Sequence, residues 1–244
     1  LNPSYQFSGN VNPVNIQTYN SELALEGITI YGIMSPFYSA AVDMDGNEVW
    51  NSGGVDSYMF TYVDTNHTFL GDANFPPNNQ GELGIEFTTE DGMTWSQPTY
   101  GDEIDFLQHE MIKLPNGNYM GFVPVYQEHF VPNSDDFSQF PSNADFSFEN
   151  NIPGWDGSFD YPWTWKGDRI VEWDIDGNEV WSWNPFNESY GFNLNDFAYM
   201  GGFWEHAVSS NDPFDWTHFN ALAYDKDTIY VSSKNLSRIT KIDK

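Results

Sequence analysis

A histidine, an asparagine, a serine and a lysine share one short stretch near the end of the chain, "DWTHFNALAYDKDTIYVSSK" (215–234). Apolar and polar residues alternate on both sides of Asp225-Lys226-Asp227, the pattern of a β-hairpin closed by a tight turn. With these three residues as the loop, Tyr224 faces Thr228, Leu222 faces Tyr230, Asn220 faces Ser232 and His218 faces Lys234. Directly opposed residues of an antiparallel pair point to the same face, with Cβ atoms about 5 Å apart. His218, Asn220, Ser232 and Lys234 then form a polar row at one end of the hairpin. A two-residue loop would shift the pairing by one and part His218 from Lys234. An imidazole beside an ammonium suits an anion such as a sulfate, a phosphate or a carboxylate, with lysine acting as a point charge.

The same hairpin type occurs twice earlier, as "SYMFTYVDTNHTFLGD" (57–72) and "HEMIKLPNGNYMGFV" (109–123). His109 opens the second copy as His218 opens the third, and Ser57 holds that place in the first. A second hairpin type alternates with it: "VDMDGNEVW" (42–50), "EWDIDGNEVW" (172–181) and the looser "TTEDGMTW" (88–95). Asp-Gly and Gly-Asn tolerate positive φ and mark tight turns between strands. The chain therefore reads as two-hairpin units of four short strands, with no amphipathic helical segment. Such units in series predict an all-β fold, a β-propeller of four-stranded antiparallel blades. Equivalent blade positions surround one axis, so His109 and His218 are expected to approach one central cavity.

"ITKID" (239–243) matches "IVEWD" (170–174), the strand that leads into an Asp-Gly-Asn turn. Another Asp-Gly-x-x-Val-Trp is expected after Lys244. About three blades are present, whereas closed propellers need about four to eight. Residues 1–244 thus read as a partial propeller, with the remaining blades after 244. Alone it would carry open edges, unless a homo-oligomer or a partner chain completes it. Two insertions, at about 130–168 and 184–216, are acidic and aromatic and read as ordered lids.

Composition narrows the function. There are 36 acidic residues against eight basic ones, a formal charge of −28, and five of the eight lie at Lys226, Lys234, Arg238, Lys241 and Lys244. Nucleic acid needs a basic footprint, and none exists here. The chain has no cysteine, hence no disulfide frame and no thiolate site. No apolar run approaches the ~18 residues of a membrane span. High acidity suits a salty or extracellular setting.

Other residues carry weaker signals. "DMDGNE" and "DIDGNE" resemble calcium-loop spacing but lack the rest of the twelve-residue ligand series, so they read as turns without metal. His67 and His129 read as surface residues, and His206, in "FWEHAV", as a lid residue near substrate. No nucleophile elbow, phosphate loop or zinc-binding His-Glu-x-x-His is present. Asn66, Asn187 and Asn235 each open a glycosylation sequon.

At "HEMIKLPNGNYM", "IVEWDIDGNEVWSW" and above all "DWTHFNALAYDKDTIYVSSKNLSRITKID", the sequence resembles the PAPS-independent arylsulfate sulfotransferases. The resemblance implies a six-bladed propeller, exported to the periplasm or beyond, with its active site in the central channel. It implies transfer of a sulfuryl group from an aryl sulfate donor to a phenolic acceptor through a sulfated histidine, without PAPS or another cofactor. By position, His109 and His218 match two active-site histidines, and Lys234 falls where the family has arginine in an "SSR" pattern. Asn220, Ser232 and His206 would then lie near the substrate. The nucleophilic histidine would lie in a later blade, following Lys244. The reading from another class is a non-catalytic extracellular propeller used for binding or assembly.

Overall fold

The computed structural model describes residues 20, 22–34, 37–51, 57–63, 68–74, 82–88, 91–98, 110–130, 162–194 and 213–244. Among these, every regular element is a strand. In chain order they are β1 (Thr29–Met34), β2 (Phe37–Val42), β3 (Glu48–Asn51), β4 (Ser57–Val63), β5 (Thr68–Asn74), β6 (Glu82–Thr88), β7 (Gly92–Ser96), β8 (Met111–Lys113), β9 (Tyr119–Phe130), β10 (Pro162–Trp173), β11 (Glu179–Trp183), β12 (Phe214–Asp215), β13 (Phe219–Asp225), β14 (Thr228–Ser233) and β15 (Arg238–Asp243). They form four sheets, ordered β1-β2-β3, β4-β5-β6-β7, β8-β9-β10-β11 and β13-β14-β15. Neighbours within the sheets are antiparallel, and the exception off the main path is a short parallel pairing of β12 with β10. The all-β antiparallel reading is therefore correct. Both four-stranded sheets begin with the hairpin type of 57–72 and end with a DG-turn hairpin. Among the described residues no helix is long and apolar enough to cross a membrane.

The repeated turn is built identically in both full copies. Gly46 and Gly177 take φ of 80° and 83°, which a side chain would strain. Asp43 Oδ1 accepts from the backbone N–H groups of Asp45 (2.9 Å) and Asn47 (2.8 Å), and Asn47 Nδ2 donates to Asp43 Oδ2 at 3.0 Å. Asp174 repeats this with Asp176 (3.0 Å) and Asn178 (2.8 Å and 3.0 Å). The asparagine side chain, then the turn N–H groups, hold both carboxyls below their usual range. Both oxygens of the Asp43 and Asp174 carboxylates thus face the turn itself. A bulge sits at the same place in each hairpin, between Ala41 and Val42 and between Glu172 and Trp173.

The chain divides into two compact units, 1–119 with 174–178, and 120–173 with 179–244. In the first, Trp95 stacks on Tyr119 with ring centroids 3.9 Å apart, and the buried Glu86 is held by Lys113 (2.5 Å) and Thr94 (3.0 Å). In the second, the core is aromatic: Phe122 meets Phe219 at 5.4 Å and Phe186 stacks on Trp216 at 5.1 Å. Each such ring fully withdrawn from water contributes about 1.5–3 kcal/mol. Residues 131–161 and 195–212 of the two insertions lie outside the described residues. The C-terminal part of the first is not a loop: β10 starts at Pro162, and Trp163 and Trp165 are buried in the core. Alternation of Trp163 and Trp165 with polar neighbours was the strand signal, masked by the proline and glycine around it.

Candidate active site around His218

Strand β10 supplies the floor. Its Asp168 is fully buried, and the carboxylate Oδ2 accepts from Thr217 Oγ1 and from the backbone N–H of Phe219, both at 2.7 Å. Thr217 Oγ1 in turn accepts from the backbone N–H of Asp168 at 2.8 Å. Residues on either side of His218 are thus fastened to one carboxylate, and His218 between them takes a left-handed φ of 44°. A non-glycine residue held there usually needs surrounding structure to enforce it. Burial, and then the charge of Asp215, push the Asp168 carboxyl up to about 6, against the opposing pull of Lys166.

Strand β12 brings in the second carboxylate. Pairing of Lys166 with Asp215, continued by the Trp216 N–H to Lys166 carbonyl bond of 2.8 Å, sets Asp215 beside the histidine. Its Oδ2 lies 2.5 Å from His218 Nδ1. Asn235 Nδ2 donates to the Asp215 carbonyl, and Ser233 Oγ donates to the Thr217 carbonyl, each at 2.5 Å. Asn235 is buried, so its sequon serves the fold and is closed to a glycan. With the carboxylate on Nδ1, a neutral ring carries its proton there.

The hairpin pairing differs from the expectation. Lys226 and Asp227 both have positive φ (49° and 63°), giving a two-residue turn, and Asp225 pairs with Thr228. Leu222 consequently pairs with Val231 and Ala221 with Ser232, one step from the three-residue-loop register. A bulge at Asn220 then restores the lost step, so that Phe219 pairs with Ser233. The Lys234 N–H donates to the His218 carbonyl at 3.1 Å. His218 and Lys234 are backbone neighbours after all, for a reason the loop-length argument did not contain. Asn220 is exposed on the bulge, Ser232 is half-buried opposite Ala221 and Ile239, and the Lys234 side chain is exposed.

His109 and His206 lie outside the described residues, as does His67. His129 is not a surface residue. It is half-buried on β9, 5.3 Å from the Trp165 ring and 5.2 Å from that of Phe186, and burial lowers its pKa. Sequence reasoning missed Asp168, Asp215, Thr217 and Asn235. The signal for Asp215 was present in "DWTH", an acid three residues before the histidine. Among the described residues no group of three or more His, Asp or Glu could hold a metal ion.

The fold and site define an all-β protein with a carboxylate-held histidine next to a lysine-bearing turn. Residues 160–244, which take in β10 to β15 and this entire constellation, match the family model of the arylsulfotransferases (ASST). Neither the curated proteins nor the solved structures gave a match.

Proposed function

We propose that the chain is the part of an aryl-sulfate sulfotransferase-like enzyme that binds the sulfuryl group in transfer, within an exported six-bladed propeller. The observation that carries this reading is His218, fixed through Nδ1 by Asp215 and joined at the backbone to Lys234, inside the segment that matches the arylsulfotransferases. A histidine nucleophile, taken to lie in a later blade, attacks the sulfur of an aryl sulfate. The sulfur–oxygen bond breaks and a phenolate leaves. A phenolic acceptor then attacks the sulfur, the sulfur–nitrogen bond breaks, and the phenol proton passes to a base. Negative charge on the sulfuryl oxygens in both steps is met by groups in place beforehand, here the His218 imidazole and the Lys234 ammonium. His109 is expected to join them, with Asn220, Ser232 and His206 near the aryl group.

The test is sulfate exchange between p-nitrophenyl sulfate and a phenol, without added nucleotide, in the intact protein. Turnover that falls in His218→Ala supports the reading. No turnover across a broad panel of donors leaves a non-catalytic binding propeller, which the exposed position of Lys234 would suit equally well.

A further inference from the structure

Sulfuryl transfer at His218 leaves one fully buried carboxyl, that of Asp168, without a part. The bonds from Thr217 Oγ1 and the Phe219 N–H both end on the same oxygen, Oδ2. A backbone N–H can only donate. The Thr217 hydroxyl already accepts from the Asp168 N–H, so its own proton is left for Oδ2. Two donors aimed at one oxygen suit an ionised carboxylate, which accepts roughly twice as strongly as a neutral group.

That charge is held at a cost. Burial and then Asp215 oppose ionisation of Asp168, Lys166 and the two bonds favour it, and the balance sets its pKa at about 6. Lys166 stands two residues before Asp168 on the same face of β10, with its backbone paired to that of Asp215. Asp215 turns its Oδ2 to His218 Nδ1, so His218 is the next titratable group beyond it. What the carboxylate tethers is itself strained, since His218 between Thr217 and Phe219 keeps φ at 44°. Untethered, a side chain at that place relaxes toward the extended backbone of the strand that follows. The imidazole would then leave Asp215, and the His218 carbonyl would leave the Lys234 N–H.

We propose that ionised Asp168 is a positioning residue of the transfer site, clamping Thr217 and Phe219 so that His218 stays on Asp215 and beside Lys234, and that its protonation opens the clamp. Gly167 seats the clamp: a Cβ there would come within 2.9 Å of Pro185 and Phe186, so β10 runs tight against that loop. The site is thereby gated by pH, idle in mild acid and assembled at neutral pH. The effect on rate rests on the sulfuryl-transfer reading, whereas the clamp itself does not.

In the intact protein, kcat for sulfate exchange should show an acid limb centred near the Asp168 pKa of about 6, and Asp168→Asn should lose that limb. At about pH 7, Asp168→Asn and Thr217→Val are expected to lower kcat at least about fivefold with KM within about twofold. Thr217→Ser keeps the hydroxyl and should retain the wild-type kcat. A second reading needs no turnover: the downfield proton resonance of the bond from His218 Nδ1 to Asp215. It should be present in the wild type and in Thr217→Ser at about pH 7, and lost in Thr217→Val. In the unmutated protein it should fade as the solution is acidified through about pH 6. No turnover in any of these proteins would remove the sulfuryl-transfer reading and leave the clamp to be judged on the resonance alone. An acid limb that survives in Asp168→Asn, or wild-type kcat in Thr217→Val, overturns the proposal. So does a resonance absent from the wild type, or one that neither acid nor Thr217→Val alters.

Discussion

Asp215 Oδ2 and His218 Nδ1 stand 2.5 Å apart, with the two side chains only 19% and 18% exposed. The backbone between them cannot drift, because Thr217 and Phe219 are bonded to Asp168 and the Asp215 carbonyl is bonded to Asn235. An ionised acid can only accept, so the imidazole must donate from Nδ1. In Asp215→Asn the amide can present its N–H to that nitrogen instead, and the proton should move to Nε2. Long-range nitrogen-proton correlation spectra read the tautomer directly. An Nδ1-protonated ring in the variant would mean that Asp215 does not set it. If His218 works in transfer, sulfate exchange should also fall at least about tenfold.

Asp168 predicts an unusual pH dependence. Its folded pKa, about 6, lies above the ordinary aspartate value of 3.8, so between these values the folded chain binds more protons than the unfolded one. Stability then declines as pH rises through that window and is lowest, for this group, above about 6. Asp168→Asn keeps an acceptor for Thr217 or Phe219 and removes the charge. Its melting temperature should fall less than the wild type's between pH 4 and pH 7. Parallel melting curves for the two proteins would show that the buried carboxyl does not titrate in this range.

Legibility followed the range of the interactions. Alternation and Asp-Gly-Asn turns are local, and they gave both kinds of hairpin, their order within the four-stranded sheets and the absence of helix among the described residues. His218 was legible because it opens a repeat. Asp168 was not, since it lies 49 residues from Thr217 and nothing near Asp168 marks it as buried. The bulge at Asn220 was equally hidden: it answers to packing of Phe219 against Phe122 and Trp183, which depends on tertiary contacts. The turn at Lys226-Asp227 was misread because aspartate, lysine and aspartate form a loop of two or of three residues with equal ease on pattern alone.

That turn offers a stabilising substitution. Lys226 is fully solvated beside Asp225 and holds φ at 49°, a conformation that costs an ordinary side chain more than asparagine. Lys226→Asn should raise stability by about 0.5–1 kcal/mol without touching the Tyr224 to Asp227 bond of 2.6 Å. A rise in melting temperature at unchanged circular dichroism would confirm it. A fall would indicate that the lysine charge matters more than the backbone.

Lys234 provides the sharpest test of the sulfuryl-transfer reading. Its backbone is pinned to His218 at 3.1 Å and its side chain is exposed, so replacing the side chain should change stability by less than about 0.5 kcal/mol. The chemistry should respond far more. An ammonium meets a sulfuryl group as one point charge, whereas a guanidinium can hold two of its oxygens at once. Lys234→Arg is therefore expected to raise kcat/KM for sulfate exchange several-fold in the intact protein, and Lys234→Ala to lower it roughly tenfold or more. Both variants should melt with the wild type. Equal exchange rates in all three would remove Lys234 from the site, and an effect confined to KM would make it a docking charge that binds donor and transition state alike.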